Sequence, residues 1–216
     1  MGIIYEFNDC IIHFDGNKLP TLNLSIEEGN KIAIILERDI YDVAILYFLF
    51  FLKNEYEGIA NYKNKPIKTL TPHEINEIIK KQTHISFYLP LINNLKLIEN
   101  IYIQKLYHTK MSEKELFKEA YEILKIFGIE DKFNHLPAFL TKYEKICGHF
   151  ARAMMSEADI IYYSNILEDI DNEKKIFLIN LIEKFHNMKK ERVTIMTYKN
   201  KDNLPKNFHF DKIIIL

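Results

Sequence analysis

The stretch Lys31-Ile32-Ala33-Ile34-Ile35-Leu36-Glu37-Arg38-Asp39-Ile40-Tyr41-Asp42-Val43 runs from a strand-like apolar segment into a helix. Ile32 to Leu36 is unbroken apolar sequence, which reads as a strand, and the apolar run from Val43 to Leu52 reads as a buried helix. The junction between them carries the most information. A loop that cradles phosphates needs glycines to turn backbone N–H groups inward, a lysine for the terminal phosphates and a hydroxyl for Mg²⁺. Leu36 to Val43 has no glycine and no lysine, and offers bulky side chains and carboxylates instead.

Upstream, residues 3–14 and 21–36 alternate or run apolar as short strands around the turn Asp15-Gly16-Asn17, so the chain begins with hairpins. Downstream, a helix is expected over Asp42 to Lys53 and a small strand region from Glu57 to Lys68. Thr71-Pro72-His73-Glu74 is a helix start, with Thr71 as N-cap and Glu74 three residues on. A strand is expected over Ile85 to Leu89. Helical sequence follows from Leu95 to Phe127, interrupted at Thr109 to Ser112, restarted by the capping box Ser112 to Glu115 and stopped by Gly128.

In the last third, helix and strand alternate. Helices at Tyr143–Met155 and Asn172–Met188 each precede a strand, Ile160–Tyr163 and Val193–Thr197, and Ile213–Leu216 forms a last strand. Such alternation predicts a mostly parallel sheet covered on both faces.

Composition narrows the function classes. With 216 residues, 48% hydrophobic and 27% charged, the chain suits one domain, or one domain with a subdomain insert. A net charge of −1 gives no general attraction to nucleic acid or acidic lipid. The two cysteines, Cys10 and Cys147, have no metal-ligand spacing, and the eight histidines form no metal pattern, so no metal site is expected. No signal-peptide pattern is read at the N-terminus, and Val43 to Leu52 is about half the length needed to cross a bilayer. A reducing cytoplasm is the expected setting.

Several phrases, in order along nearly the whole chain, resemble the nucleotide-binding subunit of ABC transporters. Leu22 to Gly29 resembles the segment entering the Walker A strand. Leu97-Ile98-Glu99-Asn100-Ile101 resembles the helix start after the Q-loop. His135-Leu136-Pro137-Ala138-Phe139-Leu140 resembles the lead-in to the signature sequence, particularly in the lipoprotein-release, macrolide-export and cell-division branches. Phe150-Ala151-Arg152-Ala153-Met154 matches the signature helix. Asp159 to Asp171 matches the Walker B strand through the D-loop, and Phe210 to Leu216 matches the terminal strand. The resemblance implies an α/β fold of the P-loop NTPase type. It would hold an N-terminal antiparallel β portion and a helical subdomain at about 91–135, within a single domain over 1–216.

At the positions where that family binds nucleotide, this chain departs from it. The alignment puts Asp42 in place of the phosphate-binding lysine and Val43 in place of the Mg²⁺ hydroxyl. At about 4 Å in an effective dielectric near 20, a carboxylate repels a phosphate charge by roughly 4 kcal/mol where a lysine would attract it. The signature reads Leu140-Thr141-Lys142-Tyr143-Glu144 and lacks both glycines, with Tyr143 obstructing approach. Walker B ends in Ser164-Asn165, the switch-histidine position holds Tyr198, and the Q-loop glutamine aligns with Pro90. Two family matches survive. Phe14 sits at the adenine-stacking position and is either a packed strand-end aromatic or an adenine platform. Asp171, in the D-loop, either caps the helix from Asn172 or keeps a dimer contact.

The resemblance therefore implies a subunit without ATP or Mg²⁺ that docks on an integral membrane permease from the cytoplasmic face, as a structural or allosteric part. The docking surface is expected over residues 88–110, in Tyr88, Leu89, Leu91, Ile92, Leu95, Tyr102 and Tyr107, because aromatic residues are favoured at interface cores. Two alternatives stay open. One is an unconventional ATP-binding subunit, using Lys142 or Arg38, paired with an intact ABC ATPase. The other is a soluble scaffold. A homodimer or heterodimer fits the first reading, and nucleic acid is not an expected partner.

Overall fold

The protein is described by a computed structural model covering residues 2–216. In chain order the elements are β1 (Ile3–Phe14), β2 (Asn17–Lys18), β3 (Leu22–Glu27), β4 (Lys31–Ile35), α1 (Asp39–Leu49), β5 (Tyr56–Tyr62), β6 (Lys65–Pro66), α2 (Pro72–Ile79) and β7 (Gln82–Ile85). They continue as α3 (Leu97–His108), α4 (Glu113–Ile126), α5 (Lys142–Ser156), β8 (Ile160–Tyr163), α6 (Asn172–Asn187), β9 (Val193–Tyr198) and β10 (Lys212–Ile215). The chain forms two compact units, one ending at Gln82 and resuming at Asp159, the other spanning Thr83–Ala158.

The first unit holds two sheets. β1 pairs antiparallel with β2, β3 and β5, and β5 with β6. The second sheet runs β10-β4-β9-β8, and all these pairs are parallel. β8 and β9 are buried along their whole length, as strands covered on both faces must be. Helix α1 packs on the antiparallel sheet, with the Phe7 and Phe48 rings 6.0 Å apart and Phe48 edge-on to Tyr56 at 5.3 Å.

The second unit is a three-helix pack. α4 buries Leu116, Ala120 and Leu124, a four-residue repeat along one face, while its other positions are mostly charged. α5 approaches α3 closely at Gly148, where a Cβ would stand 2.7 Å from Leu97 Cδ1 and 3.2 Å from Leu91 Cδ1. Because α5 packs with α3, the unit is wider than the 91–135 insert expected from sequence, which lies inside it.

Both expected capping boxes form. The Glu74 N–H donates to Thr71 Oγ1 at 3.3 Å and the Glu115 N–H to Ser112 Oγ at 3.4 Å, with each glutamate reaching back to the cap residue's N–H. One expected strand is displaced. Ile85–Leu89 is not a strand, and the strand is Gln82–Ile85. Its polar residues hid it, since Gln82 is buried with its amide spent on the Leu49 carbonyl (2.7 Å) and the Tyr5 hydroxyl (3.2 Å). The helix expected from Asp42 starts earlier, at Asp39, and ends at Leu49.

Glycine is required at one strand position. Gly58 in β5 faces the irregular register between Asn8 and Ile11 of β1, has φ +79° and would place a Cβ 2.1 Å from the Asp9 carbonyl oxygen. Gly16 has a similar φ of +76°, but nothing lies within 4 Å of its would-be Cβ. Urea unfolding of Gly58→Ala should therefore show a loss of about 3 kcal/mol or more, against about 1 kcal/mol for Gly16→Ala.

Candidate functional site

Strands β4, β8 and β9 all end at the N-terminal turn of α1, the crevice where open α/β sheets collect ligands. Asp42 fills that crevice. It is 3% exposed, and three hydroxyls converge on its carboxylate. Oδ1 accepts from Tyr162 at 2.7 Å and from Thr197 at 3.0 Å, and Oδ2 accepts from Ser164 at 2.7 Å. The Thr197 hydroxyl also accepts the Asn165 N–H at 2.9 Å. One carboxylate thus joins α1 to the ends of β8 and β9.

Burial pushes the Asp42 carboxyl above the usual carboxylate range. The hydrogen bonds from Ser164, Tyr162 and Thr197 pull it back, and nearby Asp39 raises it further. The space left beside it is about 10 Å³, lined by Leu36, Arg38, Asn165, Tyr198 and Lys199 among others. That is room for about one water. The first turn of α1 carries Asp39 and Asp42 and has no side-chain cap, so its N-terminus presents negative charge where an anion would need positive potential. The backbone around it is spent, with the Leu36 N–H donating to the Tyr198 carbonyl at 2.8 Å and the Glu37 N–H to the Leu216 carbonyl at 3.1 Å.

Asp42, Ser164, Asn165 and Tyr198 of the expected set are brought together here, with Val43 half-buried one position on. Tyr198 is buried, edge-on to Phe210 at 6.1 Å, and its hydroxyl lies 3.5 Å from Met196 Sδ. Asn165 turns at φ 44° and its amide donates to Glu168 at 2.7 Å. A wider groove of about 530 Å³ shares Asn165 and Tyr198 but brings Glu168, Asp169 and Asp202 against the single cation Lys175.

The remaining positions are engaged separately. Phe14 is buried, edge-on to Tyr47 at 5.3 Å, with Lys53 Nζ 4.7 Å from its ring centre. Asp171 caps α6, accepting the Lys174 N–H at 2.9 Å, and that bond with the Lys174 ammonium holds its carboxyl below the usual range. In the second unit, Pro90 is exposed, and Lys142 opens α5 with its ammonium 5.4 Å from the Phe87 ring centre. Tyr143 follows it, half-buried.

The segment Leu140–Glu144 is more than a loss of glycines. Thr141 is the N-cap of α5, its hydroxyl accepting the Glu144 N–H at 3.3 Å while Glu144 accepts the Thr141 N–H at 2.7 Å. The helix end is thus closed by its own side chains. Sequence reading missed this box, as it missed Tyr162 and Thr197. The Thr-x-x-Glu spacing was available to find the first, whereas no sequence signal marks two strand hydroxyls that face one carboxylate.

Of the expected docking residues, Ile92 is 45% exposed, Tyr107 is 78% exposed and Tyr88 is also open, while Leu89 and Leu95 are half-buried. Leu91 and Tyr102 correct the expectation. Leu91 is buried beside Gly148, and Tyr102 is buried with its hydroxyl donating to Glu113 at 2.7 Å, so both serve the unit's own core. The loop is pinned by the buried Asn100. Its Oδ1 accepts the Ile92 N–H at 2.6 Å, and its Nδ2 lies 3.0, 3.0 and 3.1 Å from the carbonyls of Ile92, Leu95 and Lys96.

The fold has close counterparts among solved structures. A post-hydrolysis dimer of the ATP-binding cassette MJ0796 superposes with a TM-score of 0.80 at 20% identity, covering 92% of this chain and 89% of that one. The cbiO1 protein of Clostridium perfringens, part of the cbiONQ transporter complex, gives 0.77 at 16% identity over 100% and 85%. Among curated sequences, the methionine import ATP-binding protein MetN of Clostridium tetani is 25% identical over 185 residues, 86% of this chain and 58% of the relative. The lipoprotein-releasing system ATP-binding protein LolD of Wigglesworthia glossinidia brevipalpis is 24% identical over 184 residues, 85% and 80%. The chain is similar in sequence to ATP-binding proteins of ABC transporters over most of its length, and its fold is that of ATP-binding cassette structures. It spans a little over half the length of the methionine-import relatives it matches. No protein-family model matches it. No helix among the described residues is long and apolar enough to cross a membrane.

Removing the Asp42 carboxylate strands three hydroxyls, so Asp42→Ala should lower unfolding free energy by about 3 kcal/mol, and the isosteric Asp42→Asn by about 1 kcal/mol. The pH signature follows from the raised pKa. A folded value above the unfolded one stabilises the fold at low pH, and that contribution is lost as pH rises from the ordinary carboxylate range through the raised value. Denaturant titrations across pH should show this component in the native chain and lose it in Asp42→Asn.

Proposed function

We propose that this cassette no longer binds or hydrolyses ATP and serves as a structural or allosteric subunit docked on a membrane permease, at the cytoplasmic face. The observation that carries the reading is Asp42. Its carboxylate occupies the strand-end crevice, saturated by three hydroxyls, with room for about one water beside it. A phosphate would have to displace a buried carboxyl group with satisfied hydrogen bonds and then meet Asp39 at the same helix end.

Three further features support it. The α5 N-terminus is capped by Thr141 and Glu144, so the Thr141 and Glu144 N–H groups are already spent on internal bonds. Ser164 and Asn165 stand where the resemblance would put a metal-associated carboxylate and a water-orienting one, and both are committed to internal bonds. Tyr198 lies buried at the switch-histidine position. The fit of this crevice to Mg²⁺ and triphosphate is therefore poor, and no chemical step is derived through them.

The docking half of the proposal rests on the Asn100-pinned loop, which holds Tyr88 and Ile92 open beside a helical pack whose own core is already complete. Transported substrate would be chosen by the permease. The relatives are named as ATP-binding proteins, which favours pairing with an intact ATPase as the second reading.

Equilibrium titration of the purified chain with labelled Mg·ATP separates the readings. No saturable binding is expected up to about 1 mM, and turnover should stay at the uncatalysed background. Micromolar, Mg²⁺-dependent binding by the isolated chain would overturn the proposal.

A further inference from the structure

A cavity of about 420 Å³ lies in the first unit between the β5–β6 hairpin and α2, and it shares no lining residue with the crevice at Asp42. That volume is in the range that small organic ligands occupy. Tyr62, Leu70 and Ile78 give it an apolar lining. Its charged lining sets three lysines, Lys63, Lys65 and Lys81, against two glutamates, Glu74 and Glu77.

The walls are braced. The hairpin turns through Lys63 and Asn64, both left-handed with φ 46° and 64°, and the Lys63 N–H donates to the Ile4 carbonyl at 2.8 Å. The Tyr62 ring stands edge-on to the buried Tyr5 at 5.1 Å. Lys65 Nζ donates to both Glu74 carboxylate oxygens at 2.7 and 2.9 Å, which joins the hairpin to α2. The Lys81 carbonyl accepts the Asp159 and Ile160 N–H groups at 2.8 and 3.1 Å. Walls held in this way lose little conformational freedom when a ligand enters, so more of the contact energy appears as affinity.

The charges around the cavity are unevenly spent. Lys65 and the bonds to Thr71 pull the Glu74 carboxyl down to about 2, so its charge is present near neutral pH and already matched. Glu77 pairs with Lys80 at 2.6 Å, a residue outside the lining. Asp159, whose charge acts on Tyr62, pairs with Lys189 at 3.1 Å. Among the described residues the Lys63 and Lys81 ammoniums are in no ion pair. Lys63 faces only the Tyr62 ring, at 5.9 Å, and Lys81 acts on Glu77 from a distance, as a lesser cause than Lys80 of its lowered carboxyl. The lining therefore favours one negative charge, and its two glutamates would repel a second.

We propose that this cavity binds a small organic monocarboxylate, its apolar body against Tyr62, Leu70 and Ile78 and its carboxylate drawn to the Lys63 and Lys81 ammoniums. The proposal goes beyond the docking reading and does not depend on it.

The test titrates the full chain, in low-salt buffer, with phenylbutyrate, phenylbutyramide and phenylbutylamine, which carry one apolar body with a negative, a neutral and a positive end. Binding is followed by NMR shifts of Tyr62, Leu70 and Ile78. Phenylbutyrate should shift all three saturably with a Kd below about 1 mM, about tenfold tighter than the amide, and the advantage should shrink as salt is added. Lys63→Gln and Lys81→Gln, both at exposed positions, should each cut the advantage about threefold, and together abolish it. Equal binding of acid and amide, or tighter binding of the amine, would overturn the carboxylate assignment. An acid advantage that survives in the double variant would overturn the role of the two lysines. Absence of shifts at Tyr62, Leu70 and Ile78 with every probe up to about 10 mM would overturn the site itself. The comparison of probes on the unmodified chain decides the assignment even if a variant fails to fold.

Discussion

One buried carboxyl group ties the strand ends of the first unit to the helix that follows them. In a parallel sheet the strand ends are held laterally only by the ladder, and the loops beyond them need a further tie. Asp42 supplies it by collecting hydroxyls from Tyr162, Ser164 and Thr197, so the start of α1 and the ends of two strands become one object. The carboxylate is poorly solvated and well hydrogen-bonded, two effects of opposite sign on its ionisation. An internal carboxyl group thus occupies the crevice at the strand ends.

Neutral imidazoles set a second constraint, in the other unit. His84 and His149 lean on Arg152 only while unprotonated, because the bond to His149 Nδ1 needs a free lone pair and because two adjoining cations would repel. Acid therefore strains the helical pack from inside, whereas Asp42 in the first unit responds to pH with the opposite sign.

Much of the architecture was legible in the sequence because its signals are local. The cappings at Thr71 and Ser112 and the alternation of helix and strand after Tyr143 depend on residues within a few positions of each other, and all appear. What stayed hidden depends on distant partners. Gln82 looks unsuited to a strand until Tyr5 and Leu49 are brought to its amide, which is why the strand was expected three residues late. The candidate site divides the same way. The absence of glycine between Leu36 and Val43 is plain in the sequence, but the hydroxyls that make Asp42 a structural anchor lie 120 to 155 residues away. Leu91 and Tyr102 carry the composition of an interface, yet composition does not distinguish a surface from a core, and both are core.

Asn100 has a mechanical consequence. One side-chain amide spends its oxygen and its nitrogen on Ile92, Leu95 and Lys96, so the segment from Ile92 to Lys96 has little freedom to flex against α3. Ile92 is therefore tied to the first turn of α3 with little compliance at the joint. The loop and the start of α3 are thereby a single rigid joint.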